Sequence, residues 1–317
     1  MAASLAASAA LLAGCLPPPP PPPDPVSPTG IGVVHAVGIH HVTFVDTTRS
    51  TSALDTFLGA PSRTIPTTIW YPATGADGAT GTDLAPDRAH GPFPIVMFAH
   101  GYGVTPDFYN ALLTQWAGAG YVVVAPTYPI LSGQPAGPSD TVDWDATFTD
   151  TSFVLTQVLA LGASSDPILG GTVDPQRIAV AGHSDGGAIA FGVGFQAWRQ
   201  DPRVRAAIVM ASDLGEVDGV YQANWRPLLH FLSDQDPYNP YDDSIAWDHA
   251  HLGIPAWTFG LVGAAHASPY RDPSDPHFGL VVTTTIDFLD ATLKGHTERW
   301  DAMSAAIDAN PSLAGAV

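Results

Sequence analysis

Gly182-His183-Ser184-Asp185-Gly186, preceded by the apolar run Arg177-Ile178-Ala179-Val180-Ala181 and followed by Gly187-Ala188-Ile189-Ala190, reads as strand, sharp turn and helix. A serine held between small residues at such a turn stands clear of the sheet edge, with the backbone N–H groups of the helix start beside it. Three fixed positions in five recur by chance, so the surroundings must carry the weight. Upstream, Phe93-Pro94-Ile95-Val96-Met97-Phe98-Ala99 is an unbroken apolar strand of the kind covered on both faces in a parallel sheet, and it runs into His100-Gly101-Tyr102-Gly103. Helical spacing over 107–119 and a second buried strand at 121–125 make a βαβ unit.

The same reading extends along the chain. Residues 38–45 and 64–71 predict two early antiparallel strands, 73–92 a surface loop, and 127–150 the rim of a site. A helix is expected over 150–161, strands over 205–211, 227–232 and 255–262, and a closing helix over 280–294. The expected fold class is therefore α/β: a mostly parallel central sheet flanked by helices, the α/β-hydrolase arrangement, in a single domain over 31–317.

A serine hydroxyl becomes a nucleophile only beside a general base, and the base needs an acid to fix its tautomer. In this fold the acid and then the histidine follow the serine, each after a strand. The strand Leu228-Leu229-His230-Phe231-Leu232 leads into Ser233-Asp234-Gln235-Asp236-Pro237, and the next strand leads into Gly263-Ala264-Ala265-His266. Ser184, Asp236 and His266 are thus the expected catalytic residues, with Asp234 the alternative acid. Backbone N–H groups of Tyr102 and Asp185 are the expected oxyanion donors, since glycines flank Tyr102 and Asp185 follows the nucleophile. Asp185 opens a helix, where its charge suits the dipole, and its side chain is expected to point away from substrate. His251, His277 and His296, lacking a preceding strand, are read as surface residues, and Tyr102, Tyr128, Trp144 and Trp247 as aromatics that could line a pocket or its rim.

The 317 residues are 45% hydrophobic and carry a net charge of −19, from 30 acidic and 11 basic side chains. No basic stripe exists to hold phosphate backbones, which excludes nucleic acid as a partner. Cys15 is the only cysteine, so an intrachain disulfide and a multi-cysteine metal site are excluded. Residues 1–15 form a short apolar segment ending Leu12-Ala13-Gly14-Cys15, which resembles the lipobox of bacterial lipoproteins, where the cysteine carries lipid. Seven prolines, Pro17 to Pro23, open a proline-rich tether over 16–30. Export to the bacterial cell envelope with lipid anchoring at Cys15 is expected, with plain secretion as the alternative.

Together, Thr68-Ile69-Trp70-Tyr71-Pro72, His100-Gly101-Tyr102-Gly103, Asp174-Pro175-Gln176-Arg177-Ile178, Gly182-His183-Ser184-Asp185-Gly186-Gly187, Asp236 and His266 resemble the dienelactone hydrolase superfamily of α/β-hydrolases. The likeness is to its platelet-activating-factor acetylhydrolase-like and chlorophyllase-like bacterial esterases, with serine where dienelactone hydrolases carry cysteine. A more distant likeness, through the oxyanion tyrosine, is to cutinase-like polyester hydrolases. The resemblance implies a carboxylesterase that acts on a small or extended ester through an acyl-enzyme, with no metal and no organic cofactor. Two other readings stay open: an idle hydrolase fold serving as a binding lipoprotein, and a metal hydrolase built on Asp248-His249-Ala250-His251.

Overall fold

The computed structural model describes residues 34–216, 226–252 and 255–317. The N-terminal segment, Cys15 and the proline tether lie outside the described residues. Strands are β1 (Ala36–Asp46), β2 (Arg63–Ala73), β3 (Thr80–Thr82), β4 (Phe93–Ala99), β5 (Val122–Pro126), β6 (Val173–His183), β7 (Ala206–Met210), β8 (Leu228–Ser233), β9 (Ala256–Leu261) and β10 (Ala314–Ala316). Helices are α1 (Asn110–Gly118), α2 (Trp144–Gly162), α3 (Asp185–Phe195), α4 (Tyr241–His251), α5 (Phe278–Leu293) and α6 (Arg299–Asp308). One sheet holds every strand in the order β10-β9-β8-β7-β6-β4-β5-β2-β1-β3.

From β5 through β4, β6, β7 and β8 to β9 the neighbours run parallel, while β2 pairs antiparallel with both β5 and β1. This is the mostly parallel α/β sheet that the apolar runs imply. Successive residues of the central strands feed two separate cores, as a period of two requires. Ile95, Met97 and Ala99 of β4 pack with α2 and α3, whereas Val96 and Phe98 pack with α1, α5 and α6. The strand order changes direction between β4 and β6, and at such a switch point the loops beyond the carboxyl ends of the strands part to leave a crevice. His100 follows β4 there, and Ser184 follows β6.

Several expectations are corrected. Loop 73–92 contains β3 and turns inward at Asp87, which is buried. The rim segment is partly core: Tyr128, Ile130 and Leu131 are buried, and α2 already begins at Trp144. His277 and His296 are buried, not surface residues; His277 is gripped by Asp275 through Nδ1 and by the Val262 carbonyl through Nε2. Past the expected closing helix, α6 and the edge strand β10 follow, and β10 pairs antiparallel with β9. Among the described residues, no helix is long and apolar enough to cross a membrane.

Candidate active site

Ser184 sits in the turn from β6 to α3 with φ +57° and ψ −130°, a conformation that L-residues rarely adopt. Such backbone strain costs of order 1–3 kcal/mol and persists only where the surroundings enforce it. Here close packing enforces it. A Cβ on Gly182 would lie 1.8 Å from the Gly186 carbonyl oxygen, and one on Gly186 would lie 2.0 Å from that of Ala99. Only glycine at both positions lets α3 approach β4 and β6 closely enough to aim the serine outward.

Three side chains converge on this turn. Ser184 Oγ lies 3.0 Å from His266 Nε2, and His266 Nδ1 lies 2.7 Å from Asp236 Oδ2. The carboxylate can only accept, so His266 donates from Nδ1 and presents the Nε2 lone pair to the serine hydroxyl. Burial pushes the Asp236 carboxyl up, but hydrogen bonds from His266, the Asn239 side chain and the Tyr238 amide outweigh it and hold it below the usual carboxylate range. Asp234 does not reach the imidazole; its Oδ1 accepts from the Gly263 amide at 2.7 Å. Asn239 also donates to the Ala211 carbonyl at 3.0 Å, which ties the loop that bears Asp236 to the end of β7.

The loop after β4 lies against the serine. A Cβ on Gly101 would come within 3.1 Å of the Ser184 Cβ, so glycine lets the Tyr102 backbone reach the nucleophile's side of the turn. The Tyr102 ring is half exposed, and its hydroxyl donates to the Ser139 carbonyl at 2.5 Å, joining this loop to the rim segment. Asp185 is the first residue of α3, where N–H groups lack an intrahelical acceptor. It forms part of the cavity wall at Ser184.

Two buried histidines, whose roles the sequence reading did not assign, fix this geometry. His100 donates from Nδ1 to the Gly101 carbonyl at 2.8 Å and accepts from the Tyr128 amide at Nε2, 3.0 Å away. His183 lies 2.7 Å through Nε2 from the His266 carbonyl and 2.8 Å through Nδ1 from the Tyr109 hydroxyl. Burial pushes His100 down to about 4 and His183 down to about 3, so both rings are neutral at pH 7. A neutral His183 that donates to a carbonyl from Nε2 must accept at Nδ1, which assigns the Tyr109 proton to that bond. Tyr109 in turn accepts from the Gly101 amide at 3.2 Å. One chain of bonds thus runs from the loop after β4, through Tyr109 and His183, to the backbone of His266. The available signal was a histidine at the end of a buried strand, which needs two partners.

A cavity of about 300 Å³ opens over the serine, lined by Thr141, Trp144, Ala188, Ser212 and Asn239 besides Ser184 and Asp185. Of the aromatics singled out above, Trp144 lines it. Tyr128 is buried and bonded to Thr151, and Trp247 stacks on His251 and meets Phe191 edge-on. Tyr238, three-quarters exposed, stands edge-on to the His266 ring at 4.9 Å. A somewhat larger cavity of about 340 Å³ lies between α1, α5 and the start of β1 and shares no lining residue with this one. Asp248-His249-Ala250-His251 does not converge: Asp248 is buried against His230 at 2.7 Å, while His249 and His251 are exposed on α4.

The sheet and this site define an α/β-hydrolase. Residues 84–225 match the family model of the chlorophyllases, in keeping with the dienelactone hydrolase-type likeness. The chain is similar to chlorophyllase-2 of Arabidopsis thaliana, 29% identical over 143 residues, which is 45% of this chain and 42% of that protein. It thus spans about two fifths of the length of that curated relative. Among solved structures it is similar to the ferulic acid esterase from Streptomyces cinnamoneus, with a TM-score of 0.62 and 19% identity over 86% of this chain and 93% of that one. At that identity the likeness speaks for the fold.

Proposed function

We propose that the protein is a serine carboxylic ester hydrolase. The observation that carries the reading is the hydrogen-bonded run from Ser184 through His266 to Asp236, at 3.0 and 2.7 Å. Ser184 attacks the ester carbonyl as its proton passes to His266 Nε2, and the oxyanion is held by the Tyr102 and Asp185 amides. His266 then returns the proton to the leaving alkoxide, and the alcohol departs. Water, deprotonated by the same imidazole, attacks the acyl-enzyme and frees the acid and Ser184. The esterase named in the solved structure and the chlorophyllase match support this reaction class. An open cavity walled by Trp144 and flanked by exposed Tyr238 suits a substrate with an apolar acyl or aryl group.

Ser184→Ala is expected to abolish hydrolysis of p-nitrophenyl butyrate and labelling by a fluorophosphonate, with the circular dichroism spectrum unchanged; retained turnover would remove the assignment. Asp236→Asn should lower kcat by about 10⁴-fold, the scale for a histidine left in the wrong tautomer, while Asp234→Asn stays within a few-fold. If the two swap effects, Asp234 is the acid. We further propose export with lipid on Cys15, on the strength of the lipobox-like Leu12-Ala13-Gly14-Cys15. Metabolic labelling with a palmitate analogue should mark the wild type and leave Cys15→Ala unlabelled.

A further inference from the structure

On the far side of the sheet ends from Ser184, two imidazoles and a carboxylate meet. His35 precedes β1, and Asp87 and His90 belong to the segment entering β4. His35 Nδ1 lies 3.0 Å from Asp87 Oδ2, His90 Nδ1 lies 2.8 Å from the same oxygen, and one ligand atom from each residue falls within 4.8 Å of the others. Among the described residues, this is the group of three with such spacing. We propose that His35, Asp87 and His90 form a binding site for a divalent transition cation of the zinc class, which staples the segment entering β4 to the start of β1.

Geometry and chemistry both favour such an ion. Two imidazole nitrogens and one carboxylate oxygen suit zinc, whose bonds of about 2.1 Å place tetrahedral ligands roughly 3.4 Å apart. The two N···O separations of 3.0 and 2.8 Å therefore need to open by about 0.4–0.6 Å to reach coordination spacing, with one nitrogen of each imidazole already within 4.8 Å of the other. The hard cations calcium and magnesium prefer all-oxygen shells and are not expected here. His35 and Asp87 are buried, whereas the His90 side chain is 60% exposed, so the fourth position opens to solvent and admits both the ion and a water.

The ligands are also held before any ion arrives. The His35 amide donates to Gly118 at 2.9 Å, and its ring packs edge-on against Phe93 at 5.3 Å. The Asp87 amide donates to Pro72 at 3.0 Å, and Arg88 between the ligands donates to the Gly170 and Pro167 carbonyls at 2.8 and 2.7 Å. Preorganised ligands on anchored backbone are what a binding site needs, and a net charge of −19 raises the local cation concentration. The same inward turn explains why loop 73–92, polar in sequence, buries an aspartate.

The test uses the full chain, stripped of metal with a chelator and then titrated with Zn²⁺ and, separately, Co²⁺. We expect one ion per chain, a Co²⁺ visible spectrum of tetrahedral intensity, and a Tm rise of about 5 °C at 100-fold excess over Kd. His90→Ala, at a side chain 60% exposed, should abolish the tight site and the Tm rise with the circular dichroism spectrum unchanged. His249→Ala/His251→Ala should keep both, since those exposed histidines can supply only weak background. Binding that survives His90→Ala unchanged, or no binding tighter than about 100 μM, overturns the proposal and leaves a hydrogen-bonded clamp. Ser184→Ala should bind as the wild type does, so this outcome is independent of the esterase reading.

Discussion

Single residues do opposite kinds of work around Ser184: some carry the reacting protons and others hold those carriers in register. Tyr109 belongs to the second kind. Its hydroxyl accepts from Gly101 and donates to His183, whose Nε2 holds the carbonyl of His266. Tyr109→Phe keeps the ring's packing against Phe98 but leaves the buried Nδ1 of His183 and the Gly101 amide without a partner. An unsatisfied buried polar group costs about 1–3 kcal/mol. We expect kcat on p-nitrophenyl esters to fall about 10-fold with KM nearly unchanged, because the loop beside the oxyanion and the imidazole lose alignment while the cavity wall stays. Steady-state kinetics separates the two parameters; a rise in KM alone would place Tyr109 in binding. Ser184, His266 and an aspartate between them could be anticipated because each follows a strand in a fixed order, with Asp234 left open beside Asp236. Tyr109 and His183 could not, since nothing local marks a hydroxyl and an imidazole 74 residues apart as partners.

At the scale of elements, the helix that frames the cavity is tied to the sheet by buried charge. Arg63 at the start of β2 is fully buried and forks onto Asp150 of α2 at 2.9 and 2.6 Å, while its Nη1 reaches Asp143 at 2.6 Å. Burial opposes the guanidinium's charge, but the two carboxylates more than offset that and raise its affinity for the proton. Arg49 adds a second contact to Asp150 at 2.7 Å. Removing the central cation leaves Asp150 with Arg49 alone and Asp143 with the Ser52 amide at 3.2 Å, and breaking a buried pair in this way costs up to about 3–5 kcal/mol. Arg63→Met should therefore lower unfolding free energy by about that amount in urea titrations, and loosen Trp144, which opens α2 on the cavity wall. If the loss is under about 1 kcal/mol, the network sets geometry and not stability. The sequence placed α2 six residues late, because a stretch of Asp, Thr and Trp has weak helical periodicity and this anchoring supplies what propensity does not.

For the whole molecule, the distribution of titrating groups predicts acid lability. His183 and His100 are held neutral down to about 3 and 4, whereas the unfolded chain protonates them near 6.5. The unfolded state thus binds more protons between those limits, so stability falls as pH drops from about 6.5 toward 4. Below that, Asp143, Asp201 and Asp236, held below the usual range against the effect of burial by their hydrogen-bond partners, add a second loss as they are forced to protonate. Thermal scans should show Tm declining by several degrees already between pH 6.5 and 4.5, and steeply below 4. A flat Tm over the first interval would mean that the two buried histidines gain protons in the fold.

The sequence by itself determined the order of the central strands and most of their helices, the parallel sheet and the turn that carries Ser184, but not β3, α4, α6 or β10. Apolar runs of period two, glycines and chain order are local signals that survive without the fold. Only the tertiary structure decided which aspartate faces His266, that Tyr109 and His183 brace the site, that His277 and His296 are buried, and that His35 meets Asp87 and His90. These are contacts between side chains remote in the chain. They exist because packing brings strand ends and loops together, and a buried polar group then bonds whichever partner that packing leaves within reach.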